Sequence, residues 1–222
     1  MNQKNTGTSF SKPYDNSWNR YNFILNVFQL GQDHAHRLKA IELAGLKEGD
    51  TVLDLCCGSG LSLRAIQKKI GPHGKIIAVD ASSPMLELAS NYAKKNNWTN
   101  IRFIHSGIES LDIPEKIDFA LFAFCWYSDE LTRSWVKNIR RFLDPAGGKL
   151  CFIDHKTPDN WLRYLATPLI LLEGRLLGES YGAEELNWKP KEVIGSLMEN
   201  PHYVSFYFDC IFSIYGKPLK MQ

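Results

Sequence analysis

Two carboxylates frame a loop built of small residues. The run Val52-Leu53-Asp54-Leu55-Cys56-Cys57-Gly58-Ser59-Gly60 leaves a short apolar segment and enters a helical pattern. Asp80 closes the next apolar run about twenty residues later, where a carboxylate at the end of a second strand can accept both hydroxyls of a ribose. Small residues at Gly58 and Gly60 let a ligand come close to the backbone. The dinucleotide fingerprint G-x-G-x-x-G is not met, because its third glycine would fall on Leu63, and the phosphate loop G-x-x-x-x-G-K-[ST] is absent. The chemistry implied is that of a nucleoside ligand without a diphosphate.

Other reactive side chains stand where strands end. His155 follows the fifth apolar run in Ile153-Asp154-His155-Lys156, His105 closes the third, and Trp126 and Tyr127 follow the fourth. His155 either takes a proton from a substrate or is an ordinary partly exposed histidine. Trp126 and Tyr127 either offer ring faces to a flat or cationic substrate or simply pack. Metal chemistry finds no support. His34 and His36 would lie roughly 200° apart on a helix, and Cys56-Cys57 has no second ligand pair nearby.

The elements that must hold these groups alternate. Thr51–Cys56, Lys75–Asp80, Ile101–His105, Ile117–Phe124 and Lys149–Asp154 read as strands. Between them, Leu63, Ile66 and Ile70, then Met85, Leu88, Ala89 and Tyr92, then Trp135, Ile139, Phe142 and Leu143 recur at helical spacing. Such alternation means right-handed βαβ units and a mostly parallel sheet. Upstream, Tyr14–Leu30 and Gln32–Leu46 read as helices. Downstream, a helix near Lys189–Met198 precedes two strands, Tyr203–Asp209 and Ile211–Gly216, joined only by a turn and therefore antiparallel.

Composition sets the outer limits. The chain has 222 residues, 44% of them hydrophobic and 23% charged, with a net charge of +2. That is an ordinary globular balance, too mildly basic to argue for nucleic acid. Five cysteines, an odd number without C-x-x-C, suggest reduced thiols. A polar N-terminus and the lack of a long apolar span lead us to expect a cytoplasmic protein with no transmembrane segment.

On these residues the sequence resembles the class I S-adenosylmethionine-dependent methyltransferases from about Tyr14 to Gly216, and in particular those of the ubiquinone/menaquinone type and those methylating small-molecule or lipid amines. Thr51–Gly60 is similar to the family's first motif, Ile77–Ala81 to its second, and Asp118-Phe119-Ala120-Leu121 to its strand-four motif. Arg141-Phe142-Leu143-Asp144-Pro145-Ala146-Gly147-Gly148 is similar to the turn before its fifth strand. The family usually has Gly in place of Cys56 and often Asp in place of Gly107. The resemblance implies an α/β, doubly wound Rossmann-like sheet of seven strands in the order 3-2-1-4-5-7-6, strand 7 antiparallel, preceded by N-terminal helices. It implies S-adenosyl-L-methionine as cofactor, with Asp54 holding the methionine amino group or orienting the loop, Cys56, Gly58 and Gly60 beneath it, and Asp80 on the ribose. Ala81 and Met85 would flank adenine, Gly107 and Ile108 would hold it, and Phe122 to Phe124 would wall the methionine end. Tyr14 and Tyr21 fall in the region that closes over the cofactor in that family.

The expected organisation is one domain, with residues 1–46 as arm and helices, 51–155 as the cofactor half, 156–187 as a lid insertion and 188–216 as final helix and hairpin. The lid rests on Trp161–Leu172, which is too apolar for an ordinary connection and long enough to be functional. Pro168 should break it into two helical pieces. The acceptor pocket would then be lined by Tyr14, Trp126, Tyr127, Trp161, Tyr164 and Leu169, with His155 and Tyr127 as candidate catalytic groups. The expected reaction is methyl transfer to nitrogen or oxygen of a small lipophilic or aromatic molecule. Carbon methylation of a quinone type and a non-catalytic binding subunit are the alternatives. The partners expected are the acceptor alone, with shallow membrane contact as an option and the chain a monomer or homodimer.

Overall fold

The computed structural model describes Val27 and residues 29–125, 128–177 and 186–219. Its strands are short apolar runs between breakers: β1 (Thr51–Leu55), β2 (Lys75–Asp80), β3 (Ile101–His105), β4 (Phe119–Ala123), β5 (Lys149–His155), β6 (Met198–Phe206) and β7 (Ile211–Pro218). They form one seven-stranded sheet in the order β3-β2-β1-β4-β5-β7-β6. The first five are parallel, while β7 runs antiparallel to both β5 and β6.

Alternation along the strands sorts side chains onto two faces. Leu53 and Leu55 join Phe122, Phe152 and Phe212 in one apolar layer, under α4 (Asp129–Ile139) and α6 (Pro190–Gly195). Val52, Cys151 and Ile153 join the opposite layer, under α1 (Asp33–Leu43), α2 (Leu63–Ile70) and α3 (Ser83–Lys95). Asp54 shares the parity of Val52, so an apolar strand delivers a carboxylate beneath α1 and α2. The helices start and stop where local chemistry says they should. Ser82 Oγ accepts from Met85 N–H and Pro84 occupies the first turn of α3. Ser128 Oγ accepts from Leu131 N–H at the start of α4.

Three expectations about elements are corrected. The segment carrying Pro168 is one helix, α5 (Arg163–Leu177), with the proline inside it; the lost N–H donor does not end the helix here. The last helix stops at Gly195, short of the expected Met198, and Met198 instead opens β6. Asn200 at φ +45° and Pro201 mark the register shift between Glu199 and His202 that let a strand begin there. Finally, β6 ends at Phe206, because the three residues after it take left-handed backbone angles. The expected helix over Tyr14–Leu30 lies almost wholly outside the described residues. Among the described residues no helix is long and apolar enough to cross a membrane.

Candidate functional site

The site is built at the carboxyl ends of the parallel strands, beginning with the turn after β1. Cys56, Gly58 and Gly60 have φ of +53°, +54° and +89°. Gly60 is a packing glycine: a Cβ there would lie 2.6 Å from Leu63 Cδ1 and 3.2 Å from Ala89 Cβ. Gly58 differs, since a Cβ on it would meet nothing within 4 Å, leaving space over the backbone for a ligand. Cys56 keeps the left-handed turn despite its side chain. That costs roughly 1–2 kcal/mol.

Two acids face this turn from different strands. Asp80 Oδ2 accepts from Gly58 N–H at 2.8 Å and Oδ1 from Ser82 N–H at 2.9 Å. Burial pushes its pKa up, against the pull of those bonds and of a third from the Ala81 backbone N–H. Of the carboxylate's roughly four acceptor sites, one is left for a further donor. Asp54 is fully buried, and neither carboxylate oxygen has a hydrogen-bond partner; the buried Ser59 Oγ beside the turn has none either. Burial first, and the Asp80 charge further, push the Asp54 pKa up to about 7, with the Arg37 guanidinium opposing. An unpaired buried carboxylate is costly. A cationic, donor-rich group placed there would offset that cost.

Beyond the acids lies an arc of rings. The Phe124 backbone has φ +55° at the end of β4, and its N–H donates to Ile153 O at 2.8 Å. The Arg37 guanidinium carbon sits 4.5 Å from the Phe124 ring centroid; its Nε–H donates to both Asp33 oxygens, at 3.0 and 2.9 Å, and its Nη1 donates to Ser62 Oγ at 2.7 Å. The His155 ring is 4.8 Å from that of Phe124. Gln29, almost fully buried, joins two imidazoles: its Nε2–H donates to His155 Nε2 and its Oε1 accepts from His36 Nδ1–H, both at 3.2 Å. His36 in turn packs against Phe206 and Tyr207, at 5.7 and 5.2 Å between centroids. Burial pulls the His155 pKa down to about 4, with Asp33 opposing and the charges of Arg37 and His36 adding to it, and burial also lowers that of His36. Both rings are neutral imidazoles at pH 7.

Placement of the other sequence candidates is mixed. Met85 is buried at the start of α3, and the exposed Ala81 offers its carbonyl to His105 Nε2–H at 2.9 Å. Gly107 and Ile108 follow β3, and the neighbouring Ser106 N–H donates to Asp80 O. Phe122 is corrected: strand parity turns its ring into the core, stacked on Phe152 at 4.3 Å, so it does not line the loop. Trp161, Tyr164 and Leu169 are 69%, 82% and 55% exposed. They belong to an outward stripe with Leu165, Leu172 and Leu176 rather than to an enclosed pocket. Tyr14, Tyr21, Trp126 and Tyr127 lie outside the described residues. Arg37, Gln29 and Lys156 escaped the sequence reading as site residues, and His36 entered it only as a rejected metal ligand. The Asp33–Arg37 spacing of four on a helix was the one local signal, and it reads equally as a surface ion pair.

Comparison with known proteins is consistent across three kinds of likeness. Residues 52–147 match a methyltransferase domain family. The ubiquinone/menaquinone biosynthesis C-methyltransferase of Hahella chejuensis is 24% identical over 205 residues, covering 85% of this chain and 81% of that protein. The demethylmenaquinone methyltransferase of Staphylococcus aureus is 25% identical over 141 residues, covering 62% of this chain, and the match spans only 57% of that relative. Among solved structures, a methyltransferase from Aquifex aeolicus has a TM-score of 0.60 at 22% identity, covering 81% of this chain and 87% of its own. The N-methyltransferase NodS from Bradyrhizobium japonicum, solved with S-adenosylhomocysteine, has a TM-score of 0.56 at 18% identity, covering 84% and 86%. At these identities the two structures speak to the fold.

Proposed function

The chain is a class I S-adenosylmethionine-dependent methyltransferase, and on that premise we propose that it methylates a small, flat, weakly charged ring compound, with a ring carbon as the accepting atom. The cofactor fits the residues present. Asp54 and Ser59 carry buried acceptors without partners, as a methionine ammonium requires. Gly58 leaves open space over the backbone, and Asp80 keeps an acceptor site for a ribose hydroxyl. When bound there, S-adenosylmethionine supplies an electrophilic methyl group. The chain's own part is alignment and exclusion of water, which in a well-oriented site are worth up to roughly 7–11 kcal/mol.

The observation that carries the acceptor class is the ring arc from Phe124 through His155 and His36 to Tyr207. The cations beside it are already engaged: Arg37 by Asp33, and Lys156 by Asp159 and Asp209. Neutral imidazoles and aromatic faces suit a flat ring better than an anion. His155 is a weak base in this setting, since its Nε2 accepts from Gln29 and its pKa lies well below neutrality. The acceptor therefore enters as a nucleophile in its own right. The sequence alone favours nitrogen or oxygen as the accepting atom; the name of the Hahella relative moves the reading to carbon. Titration calorimetry with S-adenosylmethionine, S-adenosylhomocysteine and NAD tests the cofactor. Turnover of naphthohydroquinone with an isotopically labelled methyl donor then tests the acceptor: label on ring carbon supports the reading, and label only on oxygen or on an added amine overturns it.

A further inference from the structure

The turn between β6 and β7 is unusual in its backbone. Tyr207, Phe208 and Asp209 have φ of +56°, +57° and +66°, three successive left-handed residues without a glycine among them. Left-handed angles are disfavoured for residues with a side chain, and conformations of this kind persist only where their surroundings over-determine them. The surroundings here converge on one side chain. Lys156, the residue after β5, is buried with 3% of its side chain exposed; its Nζ donates to Asp209 Oδ2 at 3.0 Å and to Asp159 Oδ2 at 2.6 Å. Asp209 Oδ2 also accepts from Asp159 N–H at 2.9 Å. The Lys156 backbone N–H donates to Cys210 O, and Cys210 N–H closes the turn on Tyr207 O. Burial works against the ammonium, and its bonds to Asp159 and Asp209 more than offset that, so it stays charged.

Burying the lysine side chain is an expensive way to close a hairpin, even with Asp159 largely exposed, since taking its charge out of water carries a desolvation penalty. Its placement gives a reason. Ile211 pairs with His155, so the turn sits at the carboxyl end of β5. Tyr207 packs on His36, extending the ring arc that starts at Phe124, and Phe208 projects with 71% of its surface exposed. We propose that Lys156 is a positioning residue for the methyl acceptor: its side chain, through Asp209, holds Tyr207 and Phe208 at the acceptor side of the site, touching neither acceptor nor cofactor. The inference rests on the methyltransferase reading and adds to it a residue that determines acceptor affinity.

The test uses full-length protein loaded with S-adenosylhomocysteine and titrated with naphthohydroquinone. Lys156→Met and Phe208→Ala should each weaken ring binding at least about fivefold, a change of the order of 1 kcal/mol, while S-adenosylhomocysteine affinity stays within about twofold. Lys156→Arg, which can still reach both carboxylates, should recover most of the ring affinity. If Lys156→Met does not fold, Asp209→Asn gives the same reading, because it removes the charge that ties the lysine to the turn and leaves the lysine paired with Asp159. Unchanged ring affinity in the clamp variants, a parallel loss of both ligands, or no saturable ring binding by the wild type overturns the proposal. Failure of the wild type to bind S-adenosylhomocysteine overturns the methyltransferase reading instead, and so the two failures are told apart.

Discussion

Replacing Asp54 by Asn should change how stability depends on pH, in a direction the structure dictates. The carboxyl group is fully buried without a hydrogen-bond partner, and burial raises its pKa from 3.8 to about 7. Arg37 opposes this rise and Asp80 adds to it; Cys57, the thiol in the adjoining turn, has its own pKa pushed up by burial and further by the Asp54 charge. Above pH 3.8 the unfolded chain has released this proton while the folded chain still holds it, so wild-type stability falls as pH rises until the folded group also ionises near pH 7. At about 1.4 kcal/mol per unit, the full window amounts to roughly 4 kcal/mol, a large share of an ordinary domain's stability. Asn has nearly the same shape and no proton to lose. Denaturant unfolding of cofactor-free wild type and Asp54→Asn between about pH 4 and pH 8 isolates the effect. The difference should move toward the variant across the window and level off above it, while the variant binds S-adenosylmethionine more weakly. Groups common to both proteins cancel in the difference. A difference that stays flat with pH would refute the reasoning.

Further outcomes follow from neighbouring features. Asp80→Ala should weaken S-adenosylhomocysteine binding by at least about tenfold in calorimetry, since charge-assisted bonds are worth roughly 1.5–3 kcal/mol. Gly60→Ala should lower the unfolding midpoint by the equivalent of roughly 1–3 kcal/mol, because its Cβ collides with Leu63 at a backbone φ of +89°. For His155, whose folded pKa lies near 4, wild-type stability should fall relative to His155→Gln as pH drops from about 6.5 toward 4, where the unfolded imidazole takes up a proton first. Equal acid slopes in the two proteins would show the ring to be solvated.

The parts of the site that the sequence made legible are those fixed by neighbours in the chain. Asp54, Gly58 and Gly60 lie within seven residues of one another, and Asp80 ends the next strand, so spacing alone placed them. The sheet was legible because short apolar runs alternate with helical ones. Contacts across the fold were not. Gln29 and His155 are 126 positions apart, and Lys156 and Asp209 are 53 apart; nothing local in either pair announces the other. Phe122 and Phe124 share a run and a strand parity, yet the left-handed backbone at Phe124 turns its ring away from the core that holds Phe122. Pro168 misled because a residue that usually ends a helix is accommodated in α5.

Of the five cysteines, Cys57, Cys125 and Cys151 are buried, while Cys56 and Cys210 keep part of their surface exposed. Those two sit in different turns, Cys56 after β1 and Cys210 before β7. A thiol-selective alkylating reagent thus meets the molecule at one position in the turn after β1 and another beside the ring arc. Mass-resolved labelling rates at the two positions give each half of the site its own occupancy signal, with no engineered label and no knowledge of the product.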